Sequence, residues 1–140
     1  MIILIADDDN QVRLGLKKII KDTALADVEI LEARNGREML TTCRSMPPDL
    51  AFVDIKMPLL DGLSAIEAAK EFCPDTVWVM LTGFSEFKFA QSAISLGVKD
   101  YLLKPLEPDK IRQLLLEVQS TMQQRHIDSN HLFELQVSHL

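Results

Sequence analysis

The sequence has few of the residues and segments that mark specialised classes of protein. Its 140 residues contain only two cysteines, Cys43 and Cys73, and their separation fits no common metal site. This scarcity favours reduced thiols in the cytoplasm over a disulfide-linked secreted domain. No apolar stretch approaches the ~20 residues of a membrane-spanning helix. No basic stretch precedes Asp7, so we expect neither a membrane partner nor a secretory signal.

Positive charge is also scarce. Lysine and arginine number 15 against 21 aspartates and glutamates, which gives a formal net charge of −6. An acidic chain of this kind is a poor candidate for non-specific binding to nucleic acid. The hydrophobic content of 47% and the charged content of 26% are those of an ordinary globular domain, and the chain is long enough to bury a core.

Short apolar runs alternate along the chain with longer amphipathic segments. The runs predict strands at residues 2–6, 28–31, 50–53, 77–81 and 101–103, and the segments predict helices at residues 12–20, 36–44, 63–72, 85–96 and 107–124. The strands are mostly continuous apolar runs, which is typical of a parallel sheet covered by helices on both faces. Five strands, each followed by a helix, predict a doubly wound α/β domain.

The composition changes near the carboxyl end. Residues 123–140 are polar, show no strand pattern and contain all three histidines, at positions 126, 131 and 139. Spacings of five and eight residues fit no common metal site, so we expect solvated histidines. We predict one domain over residues 1–122, followed over residues 123–140 by a helical extension or a linker.

Polar residues stand where four of the predicted elements end, and the ligand site of a doubly wound sheet lies at the carboxyl ends of its strands. These residues are Asp7 and Asp8, Asp54, Thr82, and Lys104. Clustered carboxylates suit Mg²⁺, with Mn²⁺ as a substitute. An aspartate can act as a nucleophile towards phosphorus. A lysine and a threonine hydroxyl suit the oxygens of a phosphoryl group, so the residue types together predict a phosphoaspartate site.

Each of these residues also has an ordinary structural interpretation. Asp54 could cap a strand end, Lys104 could be a solvated surface lysine, and Thr82 could be a helix N-cap. We favour the functional interpretation because the residues converge from separate segments. Asp9 is different: it is expected to serve the start of the first helix, where a carboxylate suits unpaired N–H groups and the positive end of the helix dipole.

Four motifs resemble those of the receiver domain of two-component response regulators. They are "IADDDN", "VDIKMPLLDG", "LTGFSEF" and "DYLLKP", in this order over residues 1 to about 122. The resemblance implies a flavodoxin-like (βα)5 fold with sheet order 2-1-3-4-5. It also implies that Asp54 accepts a phosphoryl group from a sensor histidine kinase. Such a receiver is a signalling phosphoacceptor, and its catalysis is limited to its own phosphorylation and dephosphorylation.

The resemblance also implies a ligand set for the cation. Asp8, Asp54 and the backbone carbonyl of Lys56 would bind Mg²⁺ directly, and Asp7 would bind it through a water molecule. No other cofactor is expected.

Further roles follow from the same resemblance. Thr82 and Lys104 would contact the phosphoryl group, and the Lys104–Pro105 peptide would be cis. Tyr101 matches the aromatic switch residue that turns inward when the threonine moves towards the phosphoryl group. Phe84, two residues beyond Thr82, is expected to screen the acyl phosphate from water.

Longer stretches, among them "EARNGREML" and "GFSEFKFAQSAISLGVKDYLLKP", are similar to receivers attached to AraC-type helix-turn-helix domains. This implies a transcriptional output and contact with DNA only through an output domain that the 140 residues do not contain. It further implies that phosphorylation promotes a homodimer through the face formed by the fourth predicted helix, the fifth strand and the fifth helix.

Two other functions use similar folds or residues. A haloacid-dehalogenase-like phosphatase places a second acidic residue two positions after its nucleophile, where this chain has Lys56. A flavin-binding module needs a phosphate-binding loop after the first strand, where residues 7–10 would repel a phosphate. Both functions are therefore disfavoured.

Overall fold

The protein is described by a computed structural model over residues 1–83, 86 and 95–138, with side chains described up to residue 125. Phe84 and most of the helix predicted over residues 85–96 lie outside the described residues. The side chains of the three histidines also lie outside them.

The described residues form one five-stranded parallel sheet. Its strands are β1 (Ile2–Ala6), β2 (Glu29–Ala33), β3 (Leu50–Asp54), β4 (Val77–Thr82) and β5 (Asp100–Leu103), in the order β2-β1-β3-β4-β5. The order and the strand positions confirm the predicted flavodoxin-like fold. In the parallel register Ala6 pairs with Val53, and Asp54 pairs with Leu81. The carboxyl ends of the central strands therefore lie side by side.

Four helices are described: α1 (Asn10–Asp22), α2 (Gly36–Ser45), α3 (Gly62–Ala69) and α4 (Pro108–Ser138). The prediction that the third helix extends to residue 72 was wrong. Its end tightens into a turn in which the Phe72 N–H donates to the Ala69 carbonyl, a three-residue closure that often ends helices. Helix α4 continues to Ser138, so most of residues 123–140 are helical. The described helices include none long and apolar enough to cross a membrane.

Two apolar layers lie on opposite faces of the sheet. One layer joins Leu4 and Ala6 to side chains of α2 and α3, and the other joins Ile3 and Ile5 to side chains of α1 and α4. Successive strand residues point to opposite faces, and here both faces are covered. This explains why the strands are continuous apolar runs in the sequence.

The connections at the carboxyl edge of the sheet are tightly built. Asp9 caps α1 as expected, since its side chain accepts a hydrogen bond from the Gln11 N–H at 2.8 Å. At the start of α3, a Cβ atom on Gly62 would lie 2.1 Å from the carbonyl oxygen of Asp54. Only glycine allows this approach, so α3 begins directly against the end of β3.

Candidate functional site

Three carboxylates meet at the carboxyl edge of the sheet. Asp7 and Asp8 follow β1, and Asp54 is the last residue of β3. The Asp7 N–H donates to the Ala33 carbonyl on β2 at 3.0 Å, which holds this residue in the sheet. One oxygen from each of Asp7, Asp8 and Asp54 lies within 4.8 Å of the others. The structure therefore brings together the acidic residues singled out in the sequence.

The three carboxylates differ in their surroundings. Asp7 is fully buried and Asp54 is nearly so, whereas Asp8 is exposed. The Asp7 Oδ1 atom accepts a hydrogen bond from the Asp9 N–H at 2.9 Å. The Asp7 Oδ2 atom is buried and accepts no hydrogen bond of good geometry from the described residues. A buried charged oxygen in this state is costly unless a cation compensates it.

Lys104, which follows β5, supplies a positive charge to this group. Its Nζ atom lies 2.9 Å from Asp7 Oδ2 and 3.4 Å from Asp54 Oδ2. Burial by itself would lower the pKa of Lys104, but the contacts with Asp7 and Asp54 outweigh it and raise this pKa above its usual value. Lys104 is therefore an ammonium ion at physiological pH. The Lys104–Pro105 peptide is cis, as the sequence predicted.

Burial dominates the titration of Asp54. Burial, together with the charge of Asp7, raises the pKa of Asp54 from 3.8 to about 6, although Lys104 and the Lys56 N–H oppose the shift. That N–H lies 3.4 Å from Asp54 Oδ1. Asp54 is still mostly ionised at pH 7. It therefore keeps the charge that a nucleophilic carboxylate requires.

An open pocket adjoins the carboxylates, and Asp8, Asp54, Lys56, Glu86 and Lys104 are among its lining residues. Hard carboxylate oxygens on an open face are the donors that Mg²⁺ prefers, with its remaining positions left to water or phosphate. Asp7 Oδ2, which pairs with Lys104 but accepts no hydrogen bond of good geometry from the described residues, adds an acceptor for a water molecule bound to such a cation. The residues present therefore fit a divalent cation beside an anionic group.

The profile of one protein family, described as "Response regulator receiver domain", matches residues 3–116. The chain belongs to the response regulator receiver family. No comparison supports the phosphatase or the flavin-binding alternative.

Curated relatives of the receiver include regulators and single-domain proteins. The receiver is 34% identical over 125 residues to the transcriptional regulatory protein YesN of Bacillus subtilis, and the match covers 89% of this chain and 34% of that protein. It is 32% identical over 117 residues to the chemotaxis protein CheY of Thermotoga maritima, covering 83% of this chain and 95% of that protein. The receiver spans about a third to a half of the length of three Bacillus transcriptional regulators that it matches.

Solved structures resemble the receiver over most of its length. The receiver domain of AraT from Geobacillus stearothermophilus is 36% identical with a TM-score of 0.80, covering 89% of this chain and 97% of that one. A two-component transcriptional regulator AraC from Clostridium phytofermentans is 26% identical with a TM-score of 0.78, covering 91% and 98% of the respective chains.

Thr82 and Tyr101 lie on the two neighbouring strands at the β5 edge of the receiver's sheet. Thr82 ends β4, is fully buried, and donates a hydrogen bond from Oγ1 to the Gly83 carbonyl at 3.1 Å. Tyr101 pairs with Met80, two residues before Thr82, and 36% of its surface is exposed. Thr82 therefore reaches the edge that carries the carboxylates, and Tyr101 lies at the surface further down the sheet.

The structure adds two receiver residues that the sequence interpretation missed. Arg13 is buried in α1, and its Nη1 atom donates to the Asp7 carbonyl at 2.7 Å. The available signal was its spacing, since Arg13, Leu16 and Ile20 lie on one face of the helix, at i, i+3 and i+7. Glu86 stands near the start of the helix predicted over residues 85–96, and the apolar periodicity of a helix does not indicate that a glutamate contacts the pocket.

Proposed function

We propose that Asp54 is the phosphoacceptor of this receiver and takes its phosphoryl group from the phosphohistidine of a sensor histidine kinase. The observation that carries this proposal is the meeting of Asp7, Asp8, Asp54 and Lys104 at one edge of the sheet. Family membership supports it, since the family profile spans all of these residues.

The chemistry begins with the ionised carboxylate of Asp54. One carboxylate oxygen attacks the phosphorus atom, the bond between phosphorus and the histidine nitrogen breaks, and the product is an acyl phosphate. Lys104 then moves its Nζ atom from the carboxylates towards a phosphoryl oxygen. The same constellation allows small anionic phosphodonors to react, and water hydrolyses the acyl phosphate. The protein is therefore a self-phosphorylating signalling domain and not an enzyme acting on a separate product.

The residues that would hold Mg²⁺ are Asp8, Asp54 and the backbone carbonyl of Lys56, with Asp7 acting through water. Mn²⁺ would substitute. Such a cation supplies neutralisation of the charge that gathers when an anionic phosphoryl group meets three carboxylates. The buried and partly unsatisfied Asp7 supports this assignment.

We propose that Thr82 and Tyr101 convert phosphorylation into a change of surface. The Thr82 hydroxyl, which now donates to the Gly83 carbonyl, would donate to a phosphoryl oxygen instead. Tyr101 would then turn inwards from its exposed position. Phe84, by its place two residues after Thr82, would limit the access of water to the acyl phosphate.

We also propose which partners respond to that change of surface. Tyr101, Leu103 and Leu116 are exposed apolar side chains on β5 and α4, and they support a phosphorylation-dependent homodimer through this face together with the segment 85–96. Residues 1–122 would be the receiver, and 123–140 would connect it to a DNA-binding output domain like those of transcriptional regulators. Two buried, unpaired thiols support a cytoplasmic location.

The test uses the full chain, Mg²⁺ and acetyl phosphate. We expect one acid-resistant but hydroxylamine-sensitive phosphoryl adduct by intact mass, which chelation or Asp54→Asn abolishes. Asp75→Asn is the matched control because Asp75 is exposed at the opposite edge of the sheet. A stable adduct in Asp54→Asn, or none in the unmodified chain, would refute the assignment.

A further inference from the structure

Arg13 is a buried cation that bonds to the backbone of Asp7, one of the three clustered carboxylate residues. Only 7% of its surface is exposed. Its Nη1 donates to the Asp7 carbonyl at 2.7 Å, its Nη2 donates to Asn10 Oδ1 at 3.0 Å, and its Nε donates to Glu32 Oε1 at 3.2 Å. All three guanidinium nitrogens are therefore engaged, and they join β1, the start of α1 and β2.

The first of these bonds acts on the backbone that carries the acidic residues. The Asp7 carbonyl belongs to the planar peptide unit that links Asp7 to Asp8. The Asp7 N–H is held by the Ala33 carbonyl at 3.0 Å, and Arg13 holds the carbonyl side of the same residue. Fixing both sides sets the orientation of the Asp7–Asp8 peptide, and so the position from which the Asp8 side chain leaves the backbone.

Asp8 is the carboxylate that most needs such support. Like charges within 4.8 Å repel one another. Among the described residues, Lys104 pairs with Asp7 and Asp54 but not with Asp8. Because Asp8 is exposed, its side chain can relieve the repulsion by turning into solvent, away from the position of a ligand.

We propose that Arg13 is a positioning residue for the cation site, which holds the Asp7–Asp8 peptide so that Asp8 faces Asp54 before a cation arrives. The inference rests on the proposed function, since it assigns Arg13 a part in building the site through which that function acts. Arg13 does not touch the cation. Its contribution passes through the Asp7 carbonyl.

Simple electrostatics predicts the opposite effect of removing Arg13. The loss of a positive charge near a cation site should make cation binding tighter. The loss of a positioning group should make it weaker, and losses of outer-shell contacts typically weaken metal binding by about 10–100-fold. The sign of the change therefore separates the two roles.

The experiment measures the dissociation constant of Mg²⁺, and separately of Mn²⁺, by calorimetric titration of the full chain. Arg13→Met keeps an apolar stem and removes every donor, and we expect binding at least about tenfold weaker. Arg13→Lys keeps the charge but cannot engage three acceptors at fixed geometry. Its affinity for the cation should therefore fall between those of the unmodified chain and Arg13→Met. Unchanged or tighter binding by Arg13→Met would overturn the inference.

Controls separate positioning from general stability and from the proposed function. Arg34→Met removes an exposed arginine paired with Glu38 at 3.6 Å, and its Mg²⁺ affinity should equal that of the unmodified chain. In metal-free protein, exchange of the Asp9 amide hydrogen should be faster in Arg13→Met, because that amide is bonded to Asp7 Oδ1. An unchanged exchange rate would contradict positioning. If the unmodified chain binds no Mg²⁺, the proposed function itself fails.

Should Arg13→Met not fold, Arg13→Lys and Glu32→Gln still decide the question. Glu32→Gln removes the charge of one Arg13 partner and leaves the bond to the Asp7 carbonyl intact. We expect it to bind Mg²⁺ within about twofold of the unmodified chain, while Arg13→Lys binds more weakly. Equal affinities for Arg13→Lys and the unmodified chain would overturn the inference.

Discussion

The two edges of the sheet use the same kinds of residue in opposite ways. At the amino edge, Asp49 Oδ2 accepts a hydrogen bond from the Ile2 N–H at 2.7 Å, and the Thr76 hydroxyl donates to the Pro48 carbonyl at 2.6 Å. At the carboxyl edge, Asp7 Oδ2 lies 2.9 Å from Lys104 Nζ but accepts no hydrogen bond of good geometry from the described residues, and the Thr82 hydroxyl donates to the Gly83 carbonyl beside it. At the amino edge these polar groups hydrogen-bond to other parts of the protein. At the carboxyl edge they keep hydrogen-bonding capacity for a ligand.

The difference shows which edge of the sheet carries a cost in stability. A satisfied polar group contributes roughly 1 kcal/mol, whereas a buried unsatisfied one costs about 1–3 kcal/mol. Asp49 bridges two segments 47 residues apart and secures the chain. Asp7 and Asp54 are buried near one another and are stabilised chiefly by Lys104. A cation that bound beside these carboxylates would stabilise the folded protein.

The largest expected effect distinguishes Asp8 from its neighbour Asp9 at the carboxyl edge. Asp8→Ala should reduce Mg²⁺-dependent phosphorylation by acetyl phosphate at least about a hundredfold, because the proposed role of Asp8 is that of a direct ligand, which matters more than an outer-shell contact. Asp9→Ala should leave the rate nearly unchanged and lower stability by about 1 kcal/mol, since Asp9 caps α1. Equal losses of phosphorylation in the two variants would show that this division of roles is wrong.

The backbone of the carboxyl edge is tightly packed even though Asp7 Oδ2 accepts no hydrogen bond of good geometry from the described residues. Gly62→Ala would place a Cβ 2.1 Å from the Asp54 carbonyl oxygen, and we expect a loss of about 3 kcal/mol in the free energy of unfolding. Gly15→Ala is the matched control, because no atom lies within 4 Å of its added Cβ. That variant should gain about 0.5–1 kcal/mol. Urea unfolding measures both, and a tolerated Gly62→Ala would contradict the close approach.

Aspartate substitutions at the two edges should change stability in opposite directions. Asp49→Ala leaves the Ile2 N–H without its acceptor and should cost about 1–3 kcal/mol. Asp54→Asn removes a carboxylate whose folded pKa is raised from 3.8 to about 6, and should stabilise the metal-free protein at pH 7.5 by up to about 3 kcal/mol.

The pH dependence checks the sign of that second effect. Because the folded state holds the Asp54 proton more tightly than the unfolded state, the favourable contribution is present below pH 3.8 and is lost as the pH rises towards 6. The gain from Asp54→Asn should therefore grow between pH 4 and pH 7 in unfolding curves. A gain that does not vary with pH would show that the carboxylate is not desolvated.

The smallest effect is an expected absence of reaction near the amino edge. Burial raises the pKa of the Cys43 thiol to about 12 and also raises that of Cys73. Both thiols are buried and neutral at pH 8, so iodoacetamide should modify neither until the protein unfolds. Mass spectrometry before and after addition of urea provides the comparison. Rapid labelling of native protein would show that this side of the molecule opens.

Much of the fold could be predicted because the strands of a parallel sheet with helices on both faces are continuous apolar runs in the sequence. Ile3, Leu4 and Ile5 are all fully buried, so β1 contains no alternating polar residues and is recognisable as an apolar run. The strand order, in contrast, came with the family resemblance. Apolar runs carry no information about which strands are neighbours.

The sequence could indicate the candidate site residues because polar side chains directly after apolar strands are conspicuous. What the sequence could not give is their electrostatic partnership, since Lys104 and Asp7 are 97 positions apart and meet at 2.9 Å only after folding. Arg13 was missed because arginines on helices are usually solvated. Its burial depends on acceptors from β1 and β2 that no local pattern reveals.

The length of α4 has a mechanical consequence. Its 31 residues follow shortly after Lys104 and Pro105, and at 1.5 Å per residue the helix is about 46 Å long. The helix begins at Pro108, four positions after Lys104. A tilt of about 5° in its first turn would displace Ser138 by about 4 Å. Any change around Lys104 that tilted α4 would therefore displace the far end of the helix more than its start.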